Sequence, residues 1–244
     1  MKTSMQHYLE VITQKKMYSN PKNLQFHMNA IFGGTEFSNK KVLDIGGGKG
    51  LYTFYSAVSG AEIAICLEPE GDGSDTGAHK LFQEVNQTLA LENVQLQAKT
   101  LQQFNPGDQT FDIILMHNSI NHLDEDACEK LHHDRKAQEI YLELFQQIYN
   151  MASPGARLIV CDCSRYNAWA LLKLRNPVAP SIEWEKHQSP KLWARLLKLA
   201  GFENPIIRWS SFNRLGKLGK LLLGNKFMAY FLRSHFCLTM QKPR

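Results

Sequence analysis

The fold is decided by one stretch of sequence, Val42-Leu43-Asp44-Ile45-Gly46-Gly47-Gly48-Lys49-Gly50. Its apolar start predicts a short buried strand over Val42–Ile45, followed by a glycine-rich turn and a helix from Leu51. Glycines at 46, 48 and 50 allow a tight turn, positive φ angles and close approach to a ligand. The unpaired N–H groups of the following helix would face that ligand. A plain turn without a ligand is the alternative.

Asp44 favours the ligand-binding interpretation of this turn. The residue places a carboxylate at the mouth of a strand that is expected to be buried. Burial of a charge is costly unless a partner uses it. We therefore expect a ligand to meet Asp44.

Strands and helices alternate through the middle of the chain. The patterns predict strands over Val42–Ile45, Glu62–Leu67, Val94–Ala98, Phe111–Met116 and Arg157–Cys161, and helices over Leu51–Val58, Ala78–Leu89 and Asp134–Asn150, with a Gly/Asp-rich loop over Gly71–Gly77. This alternation predicts an α/β protein with a Rossmann-like, doubly wound, mostly parallel sheet. Pro205–Trp209 and Phe236–Met240 would complete seven strands, the last one antiparallel, and a helix is expected over Arg165–Leu174.

Polar residues follow the predicted strands. Those positions are Asp44, Glu68, Ala98–Thr100, His117–His122 and Asp162–Arg165. In open α/β sheets, ligands bind beyond the carboxyl ends of the strands, near the point where the strand order reverses. The sequence therefore predicts the site at this edge.

Composition bounds the class of protein. With 244 residues and 43% hydrophobic content, the chain can bury a full core. We see no apolar leader at the start and no run of about 18 apolar residues, so we expect neither secretion nor a membrane span. Five cysteines without framework spacing, with Cys161 and Cys163 expected to be buried, fit a reducing compartment, so we predict a cytoplasmic protein.

Five segments together resemble the class I S-adenosylmethionine-dependent methyltransferases. They are the stretch 42–50, Glu68 at the end of strand two, Phe111–Leu115, Ser153–Val160 and Leu196–Phe202. The resemblance implies a methyltransferase domain over 41–244 with an acceptor-binding insertion over 163–190. Residues 1–40 would form an N-terminal helical cap across the ligand mouth, with simple packing helices as the alternative.

The resemblance also implies a set of residues that hold S-adenosylmethionine. Asp44 and the glycines Gly46, Gly47, Gly48 and Gly50 would line its methionine half, and Glu68, followed by Pro69, would accept the ribose hydroxyls. Thr100 and Leu101 would meet the adenine, although many relatives carry an acid where this chain has Ala98-Lys99-Thr100. His117 and Asn118 would lie near the methyl-bearing end. A nicotinamide-binding dehydrogenase is the alternative, but its fingerprint requires glycine where Leu51 stands.

Methyl transfer to a hydroxyl or ammonium acceptor requires a base. His122 is our first candidate because histidine titrates near neutral pH, and His187 is the second. The alternatives are a His122 that caps or packs the next helix and a His187 exposed in a loop. For the acceptor we select Tyr18 from the cap, together with Asn121, Arg165, Tyr166, Trp169 and Trp184.

The region Asp124–Asp134 is rich in acids and histidines. Its spacing matches no metal signature, so we predict no metal and a solvated loop that leads into a helix near Asp134. The net charge of +5 is modest, and the Asn/Asp-Pro-Pro-Tyr/Phe motif of base-methylating enzymes is absent after strand four. Nucleic acid is therefore not favoured as a partner.

No acidic residue follows Glu203, and the segment 212–233 mixes lysines with leucines. Such a segment can contact an anionic membrane or acceptor, or pack as a helix with its lysines in water.

We expect a methyltransferase for a hydroxyl or amine of a small metabolite. The alternatives are a lipid-linked, peptide or RNA acceptor, and a non-catalytic cofactor-binding module. The sequence does not indicate an oligomeric state.

Overall fold

A computed structural model of the protein describes residues 3–69, 76–177, 179–210 and 212–244. The loop expected over Gly71–Gly77 lies largely outside the described residues. The helices are α1 (Ser4–Gln14), α2 (Pro21–Phe32), α3 (Leu51–Val58), α4 (Ala78–Leu89), α5 (Glu125–Lys130), α6 (Arg135–Met151), α7 (Ala168–Leu171), α8 (Pro190–Leu199), α9 (Gly216–Leu223) and α10 (Lys226–Phe231). The strands are β1 (Lys41–Ile45), β2 (Ile63–Leu67), β3 (Val94–Gln97), β4 (Phe111–His117), β5 (Ala152–Cys163), β6 (Glu203–Trp209) and β7 (His235–Gln241).

The strands form one sheet in the order β3-β2-β1-β4-β5-β7-β6. β1 pairs in parallel with β2 and β4, and β2 pairs in parallel with β3. β7 is antiparallel to both β5 and β6. The predicted fold class, a mostly parallel seven-stranded sheet with an antiparallel last strand, is confirmed. β1 lies between β2 and β4, and its residues Val42–Ile45 are buried, as expected for a central strand of a parallel sheet with both faces covered.

Packing divides the chain into two units, residues 1–116 and 117–244. In the first unit, α1 packs on the helices that follow β1 and β2. The buried Tyr8 donates its hydroxyl to the Leu51 carbonyl over 2.9 Å, and Lys15 pairs with Glu84 at 2.9 Å. These contacts agree with the packing-helix interpretation of α1, whereas a cap across the ligand mouth stays a prediction.

In the second unit, α6 and α8 pack through buried aromatic rings. Tyr141 of α6 and Trp193 of α8 lie with their ring centroids 5.1 Å apart. The Tyr141 hydroxyl also donates to the carbonyls of Ile120 and Asn121 at 3.0 and 3.3 Å. The buried Tyr141 side chain therefore fixes the turn that follows β4 through these hydrogen bonds.

Two secondary-structure predictions were wrong. The region Asp124–Asp134 is not a simple loop, because it contains α5, which Asp124 caps by accepting a hydrogen bond from the Ala127 N–H. The helix expected over Arg165–Leu174 is limited to α7. Asn167 is its N-cap, so it begins later than predicted, and it ends before Lys173, which has a φ of +53°. Asp134 lies at the start of α6 as predicted.

None of the described helices combines the length and the apolar character needed to cross a membrane.

Candidate cofactor and acceptor sites

The glycine turn after β1 adopts the conformation that its sequence predicts. Gly46, Gly48 and Gly50 have φ angles of +69°, +54° and +83°. Gly46 and Gly47 both donate their N–H groups to the carbonyl of Leu67, at 2.8 and 3.2 Å. The turn is therefore tied to the end of β2, and side chains at its positive-φ positions would be strained.

Gly47 is required for a different reason, which sequence spacing alone did not distinguish. A Cβ at this position would lie 2.6 Å from Cys66 Sγ and 2.7 Å from Asp44 Oδ2. The absence of a side chain lets the main chain pass directly over the Asp44 carboxylate. Gly47 therefore shapes the turn by close packing.

Asp44 is buried, with 1% of its surface exposed. Thr53 Oγ1 donates a 2.7 Å hydrogen bond to Oδ2, whereas Oδ1 has no hydrogen-bond partner among the described residues. Burial raises the pKa of Asp44 to about 7, the Thr53 hydrogen bond opposes this shift, and the nearby Glu68 charge adds to it. A buried carboxylate oxygen without a partner fits a cationic group of a ligand, such as the ammonium of S-adenosylmethionine.

Glu68 provides a second carboxylate in the same unit, 4% exposed at the end of β2. The Gly48 N–H donates to its Oε2 over 2.7 Å, and His79 Nε2 donates to its backbone carbonyl over 2.6 Å. An ionised carboxylate offers about four acceptor positions, which suits a pair of ribose hydroxyls. Pro69 follows it directly.

The predicted adenine residues lie in the turn after β3. Thr100 exchanges hydrogen bonds with Gln103, from its own N–H to Oε1 at 3.1 Å and from the Gln103 N–H to its Oγ1 at 3.3 Å. Leu101 is 2% exposed. Thr100 therefore orders this turn, and its contact with adenine stays a prediction.

In the second unit, the residues after β4 bend sharply away from the strand. Asn118 has a φ of +53° and donates its N–H to the Cys161 carbonyl over 2.8 Å. The His117 ring lies 5.7 Å from the ring of His235. This turn leads directly to Asn121 and His122.

His122 has a hydrogen-bond partner on each ring nitrogen. Nδ1 lies 2.6 Å from Glu125 Oε1, and Nε2 lies 3.2 Å from Asn121 Nδ2. The side chain is 41% exposed. Asn121 is itself buried, and its Oδ1 lacks a partner among the described residues. A His122 with both nitrogens engaged has no position ready to accept a proton.

His187 is not the exposed loop residue that one interpretation of the sequence expected. Its Nδ1 lies 2.9 Å from Asp162 Oδ1, with 14% of the His187 side chain and none of the Asp162 side chain exposed. The Cys163 N–H also donates to Asp162 Oδ1, over 2.7 Å. His187 Nε2 makes no hydrogen bond within the described part of the chain. The strand-end position of Asp162 was the sequence signal for this pair, but its partner lies 25 residues away.

Hydrogen bonds on both sides of His187 hold it in place. The Cys128 thiol donates to the Lys186 carbonyl at 3.2 Å, and Gln188 Nε2 donates to the Cys128 carbonyl at 2.6 Å. Lys186 also pairs with Glu125 at 3.0 Å. The segment that carries His187 is therefore fastened to α5, which restricts the histidine to one position.

The predicted acceptor residues separate into several groups. Trp184 lies beside His187, with centroids 6.3 Å apart. Arg165 donates to His132 Nδ1 over 2.8 Å, and Trp169 Nε1 donates to the Phe231 carbonyl over 2.8 Å. Tyr166 is 62% exposed. Tyr18 belongs to the first unit, where its ring stacks on His27 at 5.6 Å.

No cluster of three or more potential metal ligands is present among the residues for which the structure gives positions.

A family model matches the sequence of this chain, and solved structures share its fold. A family model described as a methyltransferase domain matches residues 16–205. No curated protein sequence matches the chain.

Solved structures of methyltransferases share the fold. An S-adenosylmethionine-dependent methyltransferase from Aquifex aeolicus is 17% identical with a TM-score of 0.58, covering 94% of this chain and 96% of its own. One from Mesorhizobium loti is 11% identical with a TM-score of 0.59, covering 88% and 96%. A protein from Thermotoga maritima, described as a possible histamine N-methyltransferase, is 15% identical with a TM-score of 0.54, covering 96% and 94%.

Proposed function

We propose a substrate class and a catalytic base for this chain, which belongs to the methyltransferase-domain family and is an S-adenosylmethionine-dependent methyltransferase. In the proposal, the protein methylates a hydroxyl or amine of a small molecule, and His187 is the general base. The observation that carries the proposal is the 2.9 Å hydrogen bond between His187 and the buried Asp162. The choice of His187 reverses the order of candidates that the sequence suggested.

The first unit supplies the residues that would hold the cofactor, which provides an electrophilic methyl group when it is bound. Asp44 Oδ1 would accept the ammonium, because it is buried and lacks a partner among the described residues. The glycine turn would lie against the methionine half, and Glu68 would accept the ribose hydroxyls. These groups would orient the cofactor and exclude water from it.

His187 would be the base. In the tautomer that carries its proton on Nδ1, His187 would donate that N–H to Asp162 Oδ1, which leaves Nε2 as the acceptor nitrogen. Nε2 would take the proton of an acceptor hydroxyl as its oxygen attacks the methyl group, or would deprotonate an ammonium beforehand so that the nitrogen has a lone pair for the attack. The electron pair of the bond that breaks would stay with the sulfur of the cofactor. The Asp162 carboxylate stabilises the resulting imidazolium, as in other carboxylate–histidine pairs. His122 supports this role less well, because both of its nitrogens already have partners.

Two observations support a small acceptor. Trp184 offers an apolar ring beside His187, a combination typical of small-molecule sites. The Thermotoga maritima neighbour carries the name of an enzyme for a small amine. We therefore propose that a hydroxyl or amine, presented beside an apolar wall, is the group that receives the methyl.

The experiment combines acceptor discovery with variants of the base. The protein is incubated with methyl-labelled S-adenosylmethionine and separate small-molecule, lipid and RNA fractions of a cell extract. We expect label in the small-molecule fraction. Label confined to RNA would overturn the small-acceptor proposal, and no transfer to any fraction would favour a binding module.

With the acceptor in hand, His187→Ala should lower kcat by about 10²- to 10⁴-fold and leave the Kd for S-adenosylmethionine unchanged. His122→Ala is the matched control and should change kcat by less than about threefold. Asp162→Asn tests the positioning role, because it should shift the pH profile of kcat as well as its height. A His187→Ala enzyme with more than half of the wild-type kcat would exclude His187 as the base.

A further inference from the structure

An apolar surface lies exposed on the second unit. Nine of the thirteen exposed large hydrophobic side chains of the described residues belong to α7, α9, α10 and the turns beside them, with exposures from 44% to 77%. They are Leu171, Leu172, Leu174, Leu215, Leu218, Leu221, Leu222, Phe227 and Phe231. We call this set the leucine surface. Soluble domains seldom leave so many large apolar side chains together in water without a use for them.

The helix α9 carries its apolar face on the outside. Leu218, Leu221 and Leu222 follow the i, i+3, i+4 spacing of a single helix face, and they are 72%, 77% and 66% exposed. Gly219 is the buried residue of this helix. A helix that packs on a sheet shows the reverse arrangement. The packed-helix interpretation of this segment was therefore wrong for α9.

The elements of the leucine surface are joined to one another. Trp169 beside α7 donates its indole N–H to the Phe231 carbonyl in α10, over 2.8 Å. Asn176 Nδ2 donates to the Leu232 carbonyl over 2.7 Å. Asn225, between α9 and α10, donates from Nδ2 to the Leu222 carbonyl over 3.0 Å. The leucines are thus presented by a connected set of helices.

Positive charges lie among these leucines. Lys173, Lys217, Lys220, Lys226 and Arg233 are all exposed. No acidic residue occurs between residues 204 and 244. An anionic bilayer offers phosphate oxygens to such lysines and an acyl region to the leucines between them, a combination that neither nucleic acid nor water provides.

We propose that the leucine surface docks this enzyme on an anionic lipid bilayer, with its leucines inserted at the acyl boundary and its lysines on headgroup phosphates. This inference is independent of the proposed function, because it uses no residue assigned to the base or to the cofactor. The occupant is the membrane surface itself, and a second copy of the chain is the competing occupant that the test must distinguish.

The test is co-sedimentation of the full chain with vesicles of phosphatidylcholine alone and of phosphatidylcholine mixed with phosphatidylglycerol. We expect binding to the mixed vesicles that weakens as salt is raised. A triple Leu218→Ser, Leu221→Ser, Leu222→Ser variant should lower the partition coefficient at least tenfold. A triple Ile140→Ser, Leu199→Ser, Ile206→Ser variant is the matched control, because these side chains are 41%, 64% and 57% exposed and lie outside the leucine surface.

The charge component has its own matched pair of variants. A triple Lys217→Gln, Lys220→Gln, Lys226→Gln variant should lower binding about a hundredfold. Replacement of Lys136, Lys191 and Lys198 by glutamine removes the same charge from exposed positions on α6 and α8 and should have little effect. Thermal melting confirms that each variant folds.

Three outcomes would overturn the proposal. They are no binding of the wild type to mixed vesicles, equal loss in the test and control variants, and a wild-type dimer that the leucine substitutions dissociate without any lipid binding. Light scattering after size-exclusion chromatography measures the last of these. That result would assign the leucine surface to a second copy.

Discussion

Gly48 donates its backbone N–H to Glu68 Oε2 over 2.7 Å, which joins the turn after β1 to the carboxylate at the end of β2. Glu68 thereby orders the glycine turn, and we propose that it also presents acceptors to a ribose. A substitution at position 68 that keeps one side-chain oxygen separates the contact with Gly48 from the proposed contact with the ribose.

We predict that Glu68→Gln weakens S-adenosylmethionine binding about 10- to 100-fold, because an amide retains one oxygen for the Gly48 N–H but loses the charge and one acceptor for a ribose diol. Titration calorimetry measures the Kd. The melting temperature of the cofactor-free protein should change little. An unchanged Kd would remove Glu68 from the cofactor site.

Alanine at Gly47 and Gly48 should have different consequences. Gly48→Ala places no atom closer than 4.0 Å to a neighbour, so only the strain at a φ of +54° acts against it, about 1–2 kcal/mol of unfolding free energy. Gly47→Ala meets Cys66 Sγ and Asp44 Oδ2 and should cost about 1–3 kcal/mol through overpacking. Gly47→Ala displaces the carboxylate as well, so it should weaken cofactor binding more than Gly48→Ala. Chemical denaturation and calorimetry measure the two effects, and the reverse order of Kd values would contradict this account.

Asp44 should make stability fall as pH rises. Its pKa is raised to about 7 from an ordinary value of 3.8 by burial, so between those values the unfolded chain has lost a proton that the folded chain keeps. The contribution of Asp44 to the unfolding free energy should therefore drop by a few kcal/mol, on the order of 1.4 kcal/mol per pH unit, across that window, in opposition to the contribution of His27. Asp44→Asn cannot ionise and should lack this slope. Denaturation at successive pH values compares the two proteins.

The same shift predicts how cofactor binding depends on pH. Ionised Asp44 is the form that attracts an ammonium, so the Kd should rise up to about tenfold per pH unit as pH falls below about 7. Asp44→Asn should bind weakly at every pH, without this dependence. Equal affinity for both proteins would exclude Asp44 as the ammonium partner.

His27 should act on stability with the opposite sign. Burial lowers its pKa to about 4 from 6.5, and its Nε2 lies 2.9 Å from the Tyr52 hydroxyl. As pH falls from about 6.5 to about 4, the unfolded chain gains a proton that the folded chain does not, so stability is lost. His27→Gln keeps a polar partner for Tyr52 and should lose less stability on acidification than the wild type. The difference in unfolding free energy between the two proteins should change with pH over this range, and parallel pH profiles would contradict this prediction.

Local sequence predicted the sheet and the conformation of the glycine turn. An apolar run between helices reads as a buried parallel strand, and the glycines and acids at the strand ends are adjacent along the chain to the strands that position them. The turn from Gly46 to Gly50, Asp44 and the position of Glu68 therefore needed no long-range information. The boundaries of β5 and α7 required information from the folded structure. β5 extends through its pairing with β7, and α7 starts only where Asn167 caps it.

The sequence by itself determined the fold class, the methyltransferase family and the glycine turn, because the patterns that predict them are each contained within a few consecutive residues. Tertiary structure decided three other features: the pairing of His187 with Asp162, the close approach of Gly47 to Cys66 and the exposure of Leu218, Leu221 and Leu222. Each depends on which distant segments fold against one another. A lone histidine, a glycine without positive φ or a leucine at helical spacing acquires its role only from neighbours that are remote in the chain.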